Sequence, residues 1–138
     1  MPNDRQTIAH EWFEQVWNQG DERTIDRLMA EGAIAHGLAD AAGGQVRGPA
    51  GFKPFFRMFR EAFPDLHIVV EDTVVEGDKV VARCTVRGTH RGDNLGFAAT
   101  DKAVTFTGIC IVRVLNGQIV EAWNNFDFGG MHSQLQAQ

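Results

Sequence analysis

The 138-residue chain contains no tyrosine, which removes a phenol as donor to a developing oxyanion. It has two cysteines, Cys84 and Cys110. Each sits in a β-type run and neither belongs to a C-x-x-C motif, so both read as buried free thiols. A disulfide is not expected, although neighbouring strands could bring the two thiols close, and with no His/Cys cluster at ligand spacing no zinc or other metal is expected. No run of Lys or Arg occurs and the net charge is −5, which argues against nucleic acid as a partner. No apolar run approaches the roughly 20 residues needed to span a bilayer, so no membrane partner is expected. The first residues, Met1-Pro2-Asn3-Asp4-Arg5, are polar and lack the apolar segment of a signal peptide. A cytoplasmic location is the expectation. There is no glycine-rich phosphate loop between a strand and a helix, no G-x-S-x-G and no H-E-x-x-H.

What is present is an ordinary globular composition, 43% hydrophobic and 22% charged, with the length of a single domain over residues 1–138. Ile8, Trp12, Phe13, Val16 and Trp17 form one helical stripe, which predicts a helix over residues 4–18 with Asn3 as N-cap and Gly20 as stop. Asp21 caps a short second helix carrying Ile25, Leu28 and Met29 and ending near Gly32. Ala33 to Leu38 is a short apolar segment interrupted by His36. Residues 40–48 are rich in Gly and Ala without a period and read as a loop. Pro49 then favours a helix start. Phe52, Phe55, Phe56, Phe59 and Phe63 fall at i, i+3, i+4, i+7 and i+11, so this helix has a broad aromatic face, which Pro64 ends.

After the short segment 67–76, three long strands are expected. In residues 79–91, Val80, Ala82, Cys84, Val86, Gly88 and His90 share one face. In residues 103–115 the matching face is Val104, Phe106, Gly108, Cys110, Val112 and Val114. Gly77-Asp78 and Asn116-Gly117 are turn signals, the second a strong hairpin signal. The last strand, residues 118–127, ends in Trp123-Asn124-Asn125-Phe126-Asp127, and a short polar tail follows Gly129-Gly130. Helices followed by an antiparallel meander give an α+β fold. The helices gather on one face of a bent sheet and can enclose a conical cavity.

Polar groups on these otherwise apolar faces are the candidates for chemistry, because burying an unpaired polar group costs about 1–3 kcal/mol. His90 shares the inward face of its strand, and is either a hydrogen-bond donor and acid/base or a histidine satisfied by backbone. His36 is either a pocket residue or a partly exposed loop histidine. Asn124 shares parity with Val120, Ala122 and Phe126, and can orient a carbonyl but not act as a base. Asp127 reaches the pocket only if the strand bends, and otherwise caps the terminal segment. Glu121, Trp123 and Asn125 belong to the outer face. Trp123, with the row Thr105, Thr107, Ile109 and Ile111, suggests that this face is covered, and a homodimer is expected.

These elements together resemble a family. They are His36, Gly48, Ala62-Phe63-Pro64-Asp65-Leu66, Gly88-Thr89-His90-Arg91-Gly92, Phe106-Thr107-Gly108-Ile109 and Asn116-Gly117-Gln118-Ile119-Val120-Glu121-Ala122-Trp123. Over about residues 5–135 the chain is similar to the SnoaL-like polyketide cyclases (ester cyclase-like) of the nuclear transport factor 2-like superfamily. The resemblance implies a cone-shaped α+β barrel, with a curved antiparallel sheet and helices enclosing a hydrophobic pocket. It also implies a dimer through the sheet's outer face and a cofactor-free reaction, of lyase or isomerase type, on a small hydrophobic carbonyl compound. In these cyclases a pocket carboxylate moves a proton α to a carbonyl, and the enolate closes a ring. The family often carries Asp directly after the Trp of the last strand, where this chain has Asn124. The acid/base role is therefore expected of His90, Asp127 or His36. The substrate contacts are expected from Asn124, Trp12, Phe56, Phe59, Phe106 and Phe126. The alternative is a protein that binds a small hydrophobic molecule without catalysis.

Overall fold

The computed structural model of the chain describes residues 4–39 and 43–137. The expected Asn3 cap and residues 40–42 of the expected loop lie outside the described residues. Helix α1 (Asp4–Glu11) continues without a break into a π-helical stretch, Trp12–Asn18. Its wider turn buries Trp12, Phe13, Val16 and Trp17. Gly20 (φ +69°) ends the element, and the Asp21 carboxylate caps α2 (Glu22–Leu28) by accepting from Arg23 N at 3.0 Å. Helix α3 (Gly48–Ala62) follows, and α4 (Phe128–Gln136) closes the chain.

The strands are β1 (Met29–Ala39), β2 (Gln45–Arg47), β3 (His67–Glu76), β4 (Lys79–Thr89), β5 (Ala103–Leu115) and β6 (Gln118–Phe126). They form one curved, unclosed sheet in the order β2-β1-β6-β5-β4-β3. The long meander β3 to β6 is antiparallel throughout. Its β5–β6 turn is Asn116-Gly117, both at positive φ (53° and 78°), which matches the right-handed twist of the flanking strands.

The structure departs from the sequence expectations in several places. Helix α2 ends at Leu28 rather than near Gly32, because Met29 already begins β1, and residues 67–76, expected as a short segment, are the full strand β3 paired along its length with β4. Met29–Ala39 is a full strand, paired parallel to β6, so the sheet is not a pure antiparallel meander. Part of the expected loop over residues 40–48 is the short strand β2, paired with β1. The polar tail is a helix, because Met131 and Leu135 bury one side of it. Finally, β6 carries an irregularity. Arg113 faces Glu121 while Val114 faces Ile119, so Val120 is left over. Strand parity is thereby reset, and Ile119, not Val120, is the buried residue ahead of Ala122.

Helix α3 lies across the concave face with Phe52, Phe55, Phe56 and Phe59 buried against it. Polar clasps fix the helices to the sheet. Asn18 holds the start of β3 twice, donating to Ile68 O (2.9 Å) and accepting from Ile68 N (2.6 Å). Arg60 donates to Trp17 O (3.1 Å) and Leu66 O (3.3 Å), joining the π-helical stretch to the end of α3. Beyond the end of β6, Gln134 of α4 takes over the strand's role. Its side-chain amide bonds both the N–H and the C=O of Thr105, at 3.0 and 2.8 Å.

On the inner face of β5, Gly108 lies opposite Phe126, and a Cβ at Gly108 would come within 2.2 Å of that ring. Gly108→Ala therefore must push Phe126 off the strand. We expect a loss of about 1–3 kcal/mol of stability, read by urea unfolding, the usual cost of overpacking. An unchanged unfolding midpoint would mean that Phe126 is not seated as described.

Candidate functional site

The concave face and the helices enclose a cavity of about 70 Å³. The helical side contributes Trp12, Phe13, Trp17, Phe52, Phe55 and Phe59. The sheet contributes alternate residues of each strand, among them Ala35 and Leu38 of β1, Val86 of β4, Phe106, Cys110 and Val112 of β5, and Asn124 and Phe126 of β6. Phe128 of α4 completes the wall. The rings interlock, with Trp12–Phe52 centroids 5.0 Å apart, Phe55–Phe59 4.9 Å and Phe59–Phe128 5.6 Å. The half-buried members Leu38, Ala122, Asn124, Phe126 and Phe128 mark its more open side.

Asn124 is the polar side chain of this lining. One N–H of its amide donates to His36 O across the β1–β6 pairing, at 3.0 Å. The close approach of the two strands depends on Gly37, at φ +84°, where a Cβ would lie 2.0 Å from Asn124 O. The bond fixes the amide plane, and the second N–H and the carbonyl oxygen remain for a ligand. An amide so held in an apolar wall can orient a carbonyl or hydroxyl, but cannot carry a proton away. Cys110 also lines the cavity. Burial pushes its thiol up to about 12, so it behaves as a small apolar group rather than a nucleophile.

Of the expected substrate contacts, Trp12, Phe59, Phe106, Phe126 and Asn124 line the cavity. Phe56 does not. It is buried one helical step away, 5.3 Å from Trp17. The three expected acid/base residues lie elsewhere. His36 follows the cavity residue Ala35, so its side chain emerges on the outer face. There it stacks on Trp123 (5.6 Å) and bonds Glu121 Oε2 through Nε2 at 2.8 Å. Asp127 caps α4, accepting from Gly130 N at 2.8 Å. His90 points inward and is fully buried, yet it sits past the end of β4 rather than on the cavity wall. Its Nδ1 accepts from Thr100 N (3.1 Å), and its backbone bonds Asp101 N and Lys102 O, so it pins the 91–102 connection to the sheet. The remaining ring nitrogen, Nε2, has no partner within the described protein. Among the described residues, no Asp, Glu, His, Lys or Arg lines the cavity.

With this geometry in view, the comparison with known proteins is decisive for the family. The SnoaL-like polyketide cyclase family profile matches residues 7–135. The chain belongs to this family. Solved structures of the SnoaL-like fold align over nearly the whole chain. IdmH of Streptomyces antibioticus, provisionally assigned as a polyketide cyclase, is 30% identical with a TM-score of 0.83, covering 98% of this chain and 100% of its own. TsrD of Streptomyces laurentii is 28% identical with a TM-score of 0.85, covering 100% and 98%. A protein of Bacillus cereus with the same provisional assignment is 30% identical with a TM-score of 0.80, covering 96% and 80%. No match is found among curated protein sequences.

The SnoaL-like cavity also draws on residues that sequence reasoning did not single out. Trp17 and Phe13, four residues apart, share the first helical stripe with Trp12, and that stripe is the signal that identifies them. Leu38 and Ala35 were hidden because β1 was not recognised as a strand. Cys110 and Val112 share parity with Phe106, which is the signal that identifies them.

On the outer face His36, Glu121, Arg113 and Asp78 form a chain of contacts. The hydrogen bond from His36, followed by that from Arg113, holds the Glu121 carboxyl below the usual value of 4.5. A carboxyl whose folded value is lowered adds stability above its unfolded value, and loses it as pH falls through the folded one. The stability gap between wild type and Glu121→Gln should therefore be open at neutral pH and close progressively below 4.5 in denaturant titrations. A gap that widens on acidification would contradict this network.

Proposed function

We propose that this protein is a cofactor-free cyclase that folds a hydrophobic polycyclic or aromatic carbonyl compound within its cone and closes a carbon–carbon ring by intramolecular aldol addition. The observation that supports this reading is a ring-lined apolar cavity with a single fixed amide, Asn124, in its wall. Membership of the SnoaL-like cyclase family points the same way.

The chemistry balances without a side-chain base. A 1,3-dicarbonyl compound presents an enol. The enol carbon attacks the second carbonyl carbon, and the enol O–H proton passes to the oxygen of the carbonyl attacked. No atom is gained or lost and nothing is oxidised. The protein's share is to hold the two carbons in contact, which removes the entropic part of the barrier. The free N–H of Asn124 then donates to the oxygen on which charge grows, in a site where water does not compete. Removing one such donor costs about 10²–10³-fold in turnover. With a poly-β-ketone substrate, Asn124→Leu should lower kcat by about that factor while leaving the fold intact. Turnover equal to wild type would remove Asn124 from the mechanism.

The second reading is binding without turnover, and the absence of any Asp, Glu, His, Lys or Arg from the described lining favours it. The two readings separate at Asn124→Asp. A cyclase of the proposed kind already turns over as the parent, whereas a binder gains activity only when the carboxylate is supplied.

The homodimer belongs to the same proposal. Ile109 is 46% exposed on the outer face, and Trp123, paired with Ile111 on the same face, lies under the Lys79 ammonium, 5.6 Å from the ring centroid. Sedimentation at micromolar concentration should show twice the 15.3 kDa chain mass, and a purely monomeric boundary would exclude the dimer.

A further inference from the structure

A cavity of about 70 Å³ is too small for the compound proposed above. A cavity that holds benzene measures about 150 Å³. A ligand with a ring must therefore displace protein, and the structure indicates which side chain moves. A second hollow, of about 330 Å³, opens on the surface beside α3, between Pro54, Arg57, Met58 and Glu61 of the helix, Ala39 at the end of β1, and Asn94. The two hollows have one lining residue in common, Phe55. They also meet along β1, where Leu38 lines the inner space and the next residue, Ala39, lines the outer one.

We infer that Phe55 is a gate between an inner ring-binding chamber and an outer subsite on the surface of α3, and that the outer subsite takes the neutral, oxygen-bearing end of an elongated ligand. This rests on the reading of the cone as a ligand site. Phe55 is suited to the part by its place in the helix. Pro54 stands in the helix interior immediately before it and supplies no N–H, so one bond of the α3 ladder is missing there. In a helix a long side chain leans back over the preceding turn, and the residue four back from Phe55 is Gly51, which presents no side chain to obstruct it. The ring's contacts are with other rings, Trp17 at 6.3 Å, Phe52 at 6.0 Å and Phe59 at 4.9 Å, which hold it without a directional bond. Turning Phe55 aside joins two spaces that are each incomplete: one apolar and too small, the other roomy and polar-edged.

The groups at the edge define what the outer subsite accepts. The Arg57 guanidinium is committed to Glu22, at 2.6 Å, and Glu61 accepts from Asn94 at 2.5 Å. The Arg57 charge is thus already neutralised by Glu22, and the Glu61 carboxylate at the edge disfavours a second anion. The match is to a hydroxyl or primary or secondary amide that donates to Glu61 and accepts from Asn94, rather than to a phosphate or a free carboxylate.

The test uses 2-naphthol, a ring with one neutral oxygen, and follows quenching of tryptophan fluorescence after rapid mixing, since Trp12 and Trp17 line the inner chamber. Phe55→Ala should speed entry by about tenfold or more, well within the range over which association rates vary among variants. Should that variant not fold, Phe55→Leu gives the same comparison. A second arm leaves Phe55 in place. Met58→Cys, labelled with a bulky maleimide, plugs the outer hollow. The label is selective because Cys84 and Cys110 are buried and their thiols are pushed up to about 12. The plugged protein should take up the probe about tenfold more slowly, while the same label on Glu76→Cys, at the exposed end of β3, leaves uptake unchanged. Entry at one rate in all forms, or entry in none, overturns the gate. Gated entry of 2-naphthol together with no ring closure of any poly-β-ketone would leave the gate standing and remove the cyclase reading instead.

Discussion

The structure depends on the packing of one aromatic helix against the concave side of a curved sheet. A curved sheet cannot be filled by a single layer of aliphatic side chains. The rings of Phe52, Phe55, Phe56 and Phe59 reach far enough to meet it, and Trp12 and Trp17 close the remaining side. Burying such a ring is worth several kcal/mol, since truncating a buried Phe to Ala costs about 3–5 kcal/mol. The same contacts leave a residual space, because rigid rings on a cone do not close to its axis. Stability and the cavity thus arise from one interaction, and a ligand competes with the core for the same surface.

Charge is arranged around this core in a consistent way. Ion pairs such as Arg57–Glu22, Arg27–Glu11 and Lys53–Asp26 link helices on the outside. The His36–Glu121–Arg113–Asp78 chain lies on the outer sheet face. Histidine 90 is buried but is occupied in pinning a loop. The inner wall keeps one amide, held by a strand neighbour whose own geometry requires a glycine. A wall of this kind favours positioning over proton transfer.

Much of this was legible in the sequence. The spacing of the phenylalanines, the alternation in β4 and β5 and the Asn116-Gly117 turn each specify local geometry, and they lead to an α+β cone. What was not legible depends on long-range pairing. Met29–Ala39 has too few β-branched residues to read as a strand, and it is one because it pairs with β6. Its recognition would have placed His36 outside the cavity, since Ala35 is inside. The Val120 irregularity could not be read from alternation, which assumes an unbroken period. His90 was correctly turned inward by its parity, but parity does not say that the strand ends before it and that the ring serves the following loop. Asp127 behaved as its position before Phe128-Gly129-Gly130 allowed, as a helix cap.

In the proposed reading, a hydrophobic carbonyl compound occupies the cone with its oxygen on the Asn124 amide. The most direct measurement is a heteronuclear NMR titration of the isotopically labelled protein with an aromatic ketone, following side-chain amides. The Asn124 side-chain signals should move with saturation, together with the Trp12 and Trp17 indoles, while signals from His36 and Trp123 on the outer face stay in place. Saturating shifts confined to Trp123, His36 and Ile109, with Asn124 unmoved, would contradict it.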